Sequence, residues 1–229
     1  MSVSDINLKV QDLINSNKYY YSIKKKIKKN YWIKKKDPDG KIRNITKNFK
    51  KEKKNFIDNN KSLIKLTKSI NFKSICDVGC GPGFLLSVFK RKKSFGIEND
   101  KIGIKFASKF GKIFDFDLND NFKINKKFDI VICNHVIEHV RKPEKLIKNL
   151  KKIMKPNGYL IIGTPDFDSA MARKFKNRYR LLHDKTHISL FSYESLMRFF
   201  YKNNLKPKKI IFPYFDTTYF NKENILRIF

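Results

Sequence analysis

Cysteine, long apolar runs and acidic side chains are all scarce in this sequence, and each scarcity narrows what the protein can be. Three cysteines in 229 residues, Cys76, Cys80 and Cys133, are too few and odd in number for a disulfide framework. Cys76 and Cys80 also stand one residue too far apart for a CxxC redox or zinc pair, so all three read as reduced structural thiols. No apolar run approaches the roughly 20 residues needed to cross a bilayer. The start, Met1-Ser2-Val3-Ser4-Asp5, lacks the basic-then-apolar order of a signal peptide, and a cytoplasmic protein is expected. Acids number 21 against 52 lysines and arginines, a formal charge of +31. A polyanionic partner such as nucleic acid, a nucleotide sugar or an anionic membrane suits that charge. AT-rich codon usage also explains the abundant Lys, Asn, Ile, Phe and Tyr, although not the shortage of acids.

The chain is long enough for one full core and short for two. Its basic excess is uneven: residues 1–73 hold 21 Lys/Arg against 6 Asp/Glu. Ile6, Val10, Leu13 and Ile14 fall at helical spacing, as do Phe56, Leu63, Ile64 and Ile70. Between these patterns lie lysine runs at 24–29 and 34–36 and the turn Asp37-Pro38-Asp39-Gly40, where proline presets φ and glycine supplies φ > 0. Tyr19, Tyr20, Tyr21, Tyr31 and Trp32, set among these lysines, can stack on bases or sugars but more often pack such a segment onto its sheet. Residues 1–70 therefore read as a basic helical cap, and residues 71–229 as the main domain.

From Ser74 the pattern becomes short apolar runs alternating with amphipathic stretches, the mark of βαβ units and a mostly parallel sheet with helices on both faces. Strands are expected at 74–78, 94–97, 112–114, 128–133, 159–163 and 208–212. Leu146, Ile147, Leu150, Ile153 and Met154 predict a helix that stops at Lys155-Pro156-Asn157-Gly158. A second helix carries Ile102, Phe106, Ala107 and Phe110 and ends at Gly111, and Ser192 can cap one with Leu196, Phe199 and Phe200. Residues 165–191 break the alternation. They hold Asp166, Asp168, Arg173, Arg178, Arg180, His183 and His187, and should emerge at the carboxyl edge of the sheet, where open α/β folds bind ligands.

The most informative stretch is Asp77-Val78-Gly79-Cys80-Gly81-Pro82-Gly83, at the end of the first expected main strand. Glycines let the backbone turn sharply and approach a ligand, and the helix expected over Phe84, Leu85, Val88 and Phe89 would offer free N–H groups. The spacing is GxGxG, not the GxGxxG of dinucleotide enzymes. About twenty residues on, Glu98 ends the second strand, where a carboxylate can accept from both hydroxyls of a ribose.

Loop, strand and acid together resemble the class I S-adenosylmethionine-dependent methyltransferases, over roughly residues 70–215. The resemblance implies a Rossmann-like fold with S-adenosyl-L-methionine as cofactor. It implies that Asp77, Gly79, Cys80, Gly81 and Gly83 hold the methionine part and Glu98 the ribose, with Asn99 and Asn134 as further contacts. Asp117, with Leu118, is the best match for the acid facing adenine, and Asp115 competes with it. Cys133-Asn134-His135-Val136-Ile137-Glu138-His139-Val140 is similar to the HVLEHV stretch of the small-molecule branch of quinone, sugar and natural-product methyltransferases, as is Gly158 onward to Asp166. Asp184-Lys185-Thr186-His187-Ile188-Ser189-Leu190-Phe191-Ser192 resembles a substrate-side segment of bacterial members in surface-glycan pathways.

Methyl transfer is an in-line displacement that needs alignment and exclusion of water. A hydroxyl acceptor also needs a base, and imidazole titrates in the right range. All four histidines fall in the two segments expected to flank the methyl group. His139 and His187 are the first candidates for the base, with His135 next; the alternative for His139 is that it simply caps the following helix. Asp166, Arg180 and His183 are candidates for the substrate side, where Arg173, Arg178 and Arg180 either grip an anionic group or form solvated surface. His135-x-x-Glu138-His139 matches an inverted zinc-peptidase pattern formally, but that motif belongs on a long helix. No metal is expected, although Glu138, His139 and one His or Asp from 165–191 would suit one.

The expected function is methyl transfer to a small molecule, favouring a hydroxyl of a sugar or glycan precursor, anionic or nucleotide-linked. A nucleic-acid methyltransferase is less favoured, because Asn134-His135-Val136-Ile137 lacks the two prolines of the base-amino motif. A binding protein that has lost activity on the same fold is opposed by the intact glycine loop and Glu98.

Overall fold

The computed structural model describes residues 21–22, 35–36, 42–184, 186–217 and 222. The helix expected near residues 6–14, the lysine run at 24–29, the turn at 37–40, the aromatic side chains of residues 19–32 and a final strand at 217–220 lie outside the described residues, Thr217 apart. Three two-residue strands come first: β1 (Tyr21–Ser22), β2 (Lys35–Lys36) and β3 (Ile42–Arg43). β2 and β3 pair with each other. Two helices follow, α1 (Ile45–Asn59) and α2 (Lys61–Lys68), the first capped by the Asn44 side chain on the Lys47 N–H.

The central sheet holds β4 (Ile75–Val78), β5 (Ser94–Glu98), β6 (Lys112–Asp115), β7 (Phe128–Asn134) and β8 (Met154–Gly163). Its order is β6-β5-β4-β7-β8 and every pairing in it is parallel. The chain winds outward from β4 to β6, returns, and winds the other way from β7. The crevice at the carboxyl ends of β4 and β7 is therefore the topological switch point, where this class of sheet opens to ligands.

Period-two alternation decides which helix covers which face. Ile75, Ile130 and Ile132 point to one side, packing with Ile64 of α2, Leu85, and Phe56 of α1. Cys76, Val78, Val131 and Cys133 point to the other. There they meet α4 (Pro143–Ile153) through Leu146, Ile147, Leu150 and Ile153, and α6 (Tyr193–Lys202) through Phe199 and Phe200. The short helix between β5 and β6, α3 (Lys101–Ala107), is capped by Asp100, whose carboxylate accepts from the Ile102 and Gly103 N–H groups. Ser192 caps α6 in a reciprocal box with Ser195, as its sequence position suggests. All three cysteines are buried and free, and burial holds each thiol well above its ordinary pKa. No helix among the described residues is long and apolar enough to cross a membrane.

Three local expectations fail. After the glycine loop there is no α-helix but a turn followed by a 3₁₀ segment at Leu86–Val88. Phe84, Leu85 and Leu86 are all buried, so no helical face is left for water, and the Ser87 hydroxyl binds the Phe84 carbonyl at 2.7 Å. The Lys155-Pro156-Asn157-Gly158 break lies inside β8 as a bulge: Phe128 pairs Met154, then Ile130 pairs Tyr159. The strand expected at 208–212 does not form. Pro207 and Pro213 bracket it, each without an N–H, and Ile210, Ile211 and Phe212 are exposed.

Residues 165–191 do depart from the alternation. They form α5 (Ala170–Phe175), two 3₁₀ turns and β9 (Ser189–Leu190), which pairs antiparallel with β1. A bridge from Asp166 to Phe191 ties the segment's two ends together beside the sheet.

Candidate active site

The glycine loop is set by its backbone. The Gly79 and Cys80 N–H groups both donate to the Ile97 carbonyl, at 2.8 and 3.1 Å, locking the loop to the end of β5. Gly79 and Gly83 have φ of 71° and 78°, a region that L side chains avoid. Space excludes a side chain as well: a Cβ on Gly79 would come within 2.6 Å of Val136, and one on Gly83 within 2.8 Å of the Ala107 backbone.

Behind the loop lie two buried acids. Glu98 Oε2 accepts from the Gly81 N–H at 2.8 Å, and Oε1 accepts from the Asn99 and Asp100 N–H groups at 2.8 and 2.9 Å. Burial raises the Glu98 pKa despite these three donors, and it pushes Asp77 up to about 8, with the charge of Glu98 adding to the effect. Two acids under a loop that reject their own charge suit a ligand that brings a positive one. Oε1 already has two donors, so a ribose finds one free lone pair, on Oε2; accepting from a second hydroxyl requires giving up a backbone partner. Asp117 extends the same wall, its Oδ2 receiving Asn99 Nδ2 at 3.4 Å and its Oδ1 the Asn119 N–H at 2.8 Å.

One cleft joins this half to the histidines. Asp77, Gly79, Cys80, Glu98 and Asn99 line it, as do Asp117 and Leu118, whereas Asp115 does not. Gly81 and Gly83 shape the loop from behind the lining. The same lining includes Asn134, His135, His139 and His187, and also Asp166, Arg178 and Arg180. His183 is not part of the lining; it is exposed, its Nε2 bonding the Asn177 carbonyl at 3.1 Å. Arg173 is engaged elsewhere, gripping Asp168 through Nε at 2.9 Å and Nη2 at 2.5 Å. Asp166 accepts from the Asp168 and Tyr193 N–H groups and so ties α6 to the segment before α5.

The end of β7 explains how the histidines converge. His135 adopts φ of 54°, uncommon for a residue with a side chain, and its N–H holds the Gly163 carbonyl at 2.8 Å. That reversal leads into a 3₁₀ turn at Ile137–His139, which drops Glu138 into the interior. Burial alone would raise the Glu138 pKa, but the imidazoles of His135, His139 and His187 outweigh it and bring it down to about 2. Burial depresses His187, against the pull of Glu138. His139 does not cap the next helix, since Lys142 holds the N-cap of α4; its ring bonds the Thr186 carbonyl and lies 5.0 Å from that of His187.

Residues without a signal of their own complete the site. Thr164 donates its hydroxyl to Glu138 Oε2 at 3.0 Å, and Asn60, between α1 and α2, accepts from Asn134 Nδ2 at 3.1 Å. Glu138 was legible as the acid between two histidines, but its place at the centre depends on the reversal at His135.

A protein family described as a methyltransferase domain matches residues 35–209. Similar curated proteins include the ubiquinone biosynthesis O-methyltransferase of Rickettsia canadensis, 35% identical over 98 residues, 39% of this chain and 42% of the relative. The protein of that name from Coxiella burnetii is 29% identical over 103 residues, 40% of this chain and 43% of the relative. The chain thus spans less than half the length of the curated relatives it matches. Among solved structures, a SAM-dependent methyltransferase of Thermotoga maritima, titled a possible histamine N-methyltransferase, aligns with TM-score 0.52 and 23% identity over 63% of this chain and 69% of its own. The plantazolicin methyltransferase BpumL, in complex with a pentazolic desmethylPZN analog and SAH, aligns with TM-score 0.53 and 18% identity over 79% and 78%. At these identities the structural likenesses concern the fold.

Proposed function

Since this chain belongs to the class I S-adenosylmethionine-dependent methyltransferase family, we propose that it transfers a methyl group from that cofactor to a hydroxyl of a small molecule. The observation that carries the reading is a cleft whose lining includes both a charge-rejecting acid pair under a glycine turn and a histidine cluster after the neighbouring strand β7. When bound, the cofactor supplies a methyl carbon on a positively charged sulfur. Asp77 and the loop from Gly79 to Gly83 hold its methionine part, Glu98 one ribose hydroxyl, and Asp117 with Leu118 the adenine side. His139 or His187 removes the acceptor's proton as its oxygen attacks, and the buried setting excludes competing water.

The relatives' name, ubiquinone biosynthesis O-methyltransferase, supports oxygen as the accepting atom. Arg178 and Arg180 in the cleft's lining support an acceptor with an anionic group, as a sugar or glycan precursor joined to phosphate would carry. The test has two parts. Calorimetry with S-adenosylhomocysteine should show one site per chain, and methyl-labelled cofactor added with fractionated cell extract should label a small-molecule fraction. Absence of cofactor binding would overturn the reading, and label confined to nucleic acid or protein would overturn the acceptor class.

A further inference from the structure

Glu138 is wholly buried, and its Oε1 has no hydrogen-bond partner. His135 Nδ1 stands 3.3 Å away but outside hydrogen-bond geometry, on a side chain that is 60% exposed. The other neighbours are two imidazoles whose tautomers the backbone decides. His139 Nδ1 lies 2.9 Å from the Thr186 carbonyl, and His187 Nδ1 lies 2.8 Å from the Leu181 carbonyl. A carbonyl oxygen only accepts, so each Nδ1 carries a proton, and the ring nitrogen left to serve as a ligand is Nε2.

His139 Nε2 is 3.9 Å from Glu138 Oε1, and His187 Nε2 is 3.9 Å from Asp184 Oδ2. A buried carboxylate oxygen without a donor thus faces the free ring nitrogen of His139, and a cation between them would satisfy both. One nitrogen from each ring and one oxygen of Glu138 lie within 4.8 Å of one another. Around a tetrahedral ion with bonds of about 2.1 Å, ligand atoms sit about 3.4 Å apart, so closure asks for shifts of no more than about 1.4 Å. The outer partners are already present: Asp184 accepts from the Thr186 N–H and hydroxyl, fixing the residue whose carbonyl orients His139.

We propose that Glu138, His139 and His187 bind a divalent first-row transition-metal ion, with an open position for the acceptor's hydroxyl oxygen. Two imidazoles and one carboxylate suit zinc, iron(II), manganese or cobalt better than calcium or magnesium. The role of the ion rests on the methyl-transfer reading, but its binding does not. On coordination the acceptor's O–H bond releases a proton to solvent, and the oxygen's electron pair forms the new C–O bond. The methyl C–S bond then breaks with its electrons left on sulfur, which becomes neutral. The ion changes no oxidation state and serves only to make the hydroxyl acidic. Under this proposal the two imidazoles are ligands, and the task of a free base falls away.

The test is titration of chelator-treated, then chelator-free, full-length protein with Co²⁺, followed by visible absorption and calorimetry. One ion per chain with d–d bands is expected, and prior loading with Zn²⁺ should suppress them. A chain of formal charge +31 repels free cations, so one-to-one uptake marks a built site. Glu138→Gln and His187→Asn should each weaken cobalt binding at least tenfold, and His139→Ala supplies a further check if circular dichroism shows that one of them does not fold. S-adenosylhomocysteine affinity should change less than twofold in the folded variants. No cobalt or zinc uptake by the unaltered protein, or equal uptake by folded variants, overturns the metal site. Cofactor binding without cobalt uptake would leave the methyltransferase reading standing; cobalt uptake without cofactor binding would do the reverse.

Discussion

The two walls of the cleft bury the same functional group to opposite ends. Asp77 and Glu98, under the glycine loop, have few charges to answer their own and are driven toward the neutral form. Glu138, buried more deeply still, is driven toward the charged form by three imidazoles. Burial therefore does not decide the state of a carboxyl here; its neighbours do. Under the proposed function the first pair would meet the positive sulfur of the cofactor, whereas Glu138 is answered by the imidazoles beside it.

The sharpest way to break this contrast is Glu138→Ala. Removing the acid leaves a cavity and a histidine cluster without its counter-charge, and thermal or urea unfolding should show a loss of about 3–5 kcal/mol. A loss near zero would mean the cluster is not an electrostatic unit. Next in size, Glu98→Ala removes a charged acceptor from the loop and should weaken S-adenosylhomocysteine binding about tenfold to a hundredfold in calorimetry, an effect of about 1.5–3 kcal/mol. Unchanged affinity would remove Glu98 from the cofactor wall.

The third effect is a slope. A carboxyl whose pKa rises from 3.8 unfolded to about 8 folded binds more protons in the folded state between those values. The ligand-free protein should therefore lose stability from this group as pH climbs from about 4 to about 8. Asp77→Asn should flatten that part of the melting-temperature profile. Cofactor, being cationic at sulfur, should bind more tightly as pH rises through the same window, with proton release detectable by calorimetry in buffers of different ionisation enthalpy. An Asp77→Asn profile that matches the parent would place the acid's ionisation outside the balance.

Much of this was legible in the residues. The unbroken apolar run Ile130-Val131-Ile132-Cys133 marks a strand buried on both faces, and the GxGxG turn with Glu98 one strand later marks the pair that the Gly81 N–H joins to Glu98 Oε2. The histidine pair was also legible, because both positions lie where the chain leaves the sheet's carboxyl edge. Other features were hidden for physical reasons. Phe84 to Phe89 has helical spacing, yet the burial of three successive residues leaves no outer face for a helix. Residues 208–212 have strand composition, but composition carries no information about whether a neighbouring edge will accept them. Asn60 gives no signal, since its importance comes from a contact with Asn134, 74 positions away.

That contact bears on how the molecule can be divided. The side chain between α1 and α2 holds an amide at the floor of the cleft, while Ile64 and Phe56 cover Ile75, Ile130 and Ile132. A fragment starting at residue 71 would strip Ile64 and Phe56 from Ile75, Ile130 and Ile132 and free Asn134 to turn. The helices before the first central strand thus pack on the same sheet that carries the cleft, and they act as part of its scaffold.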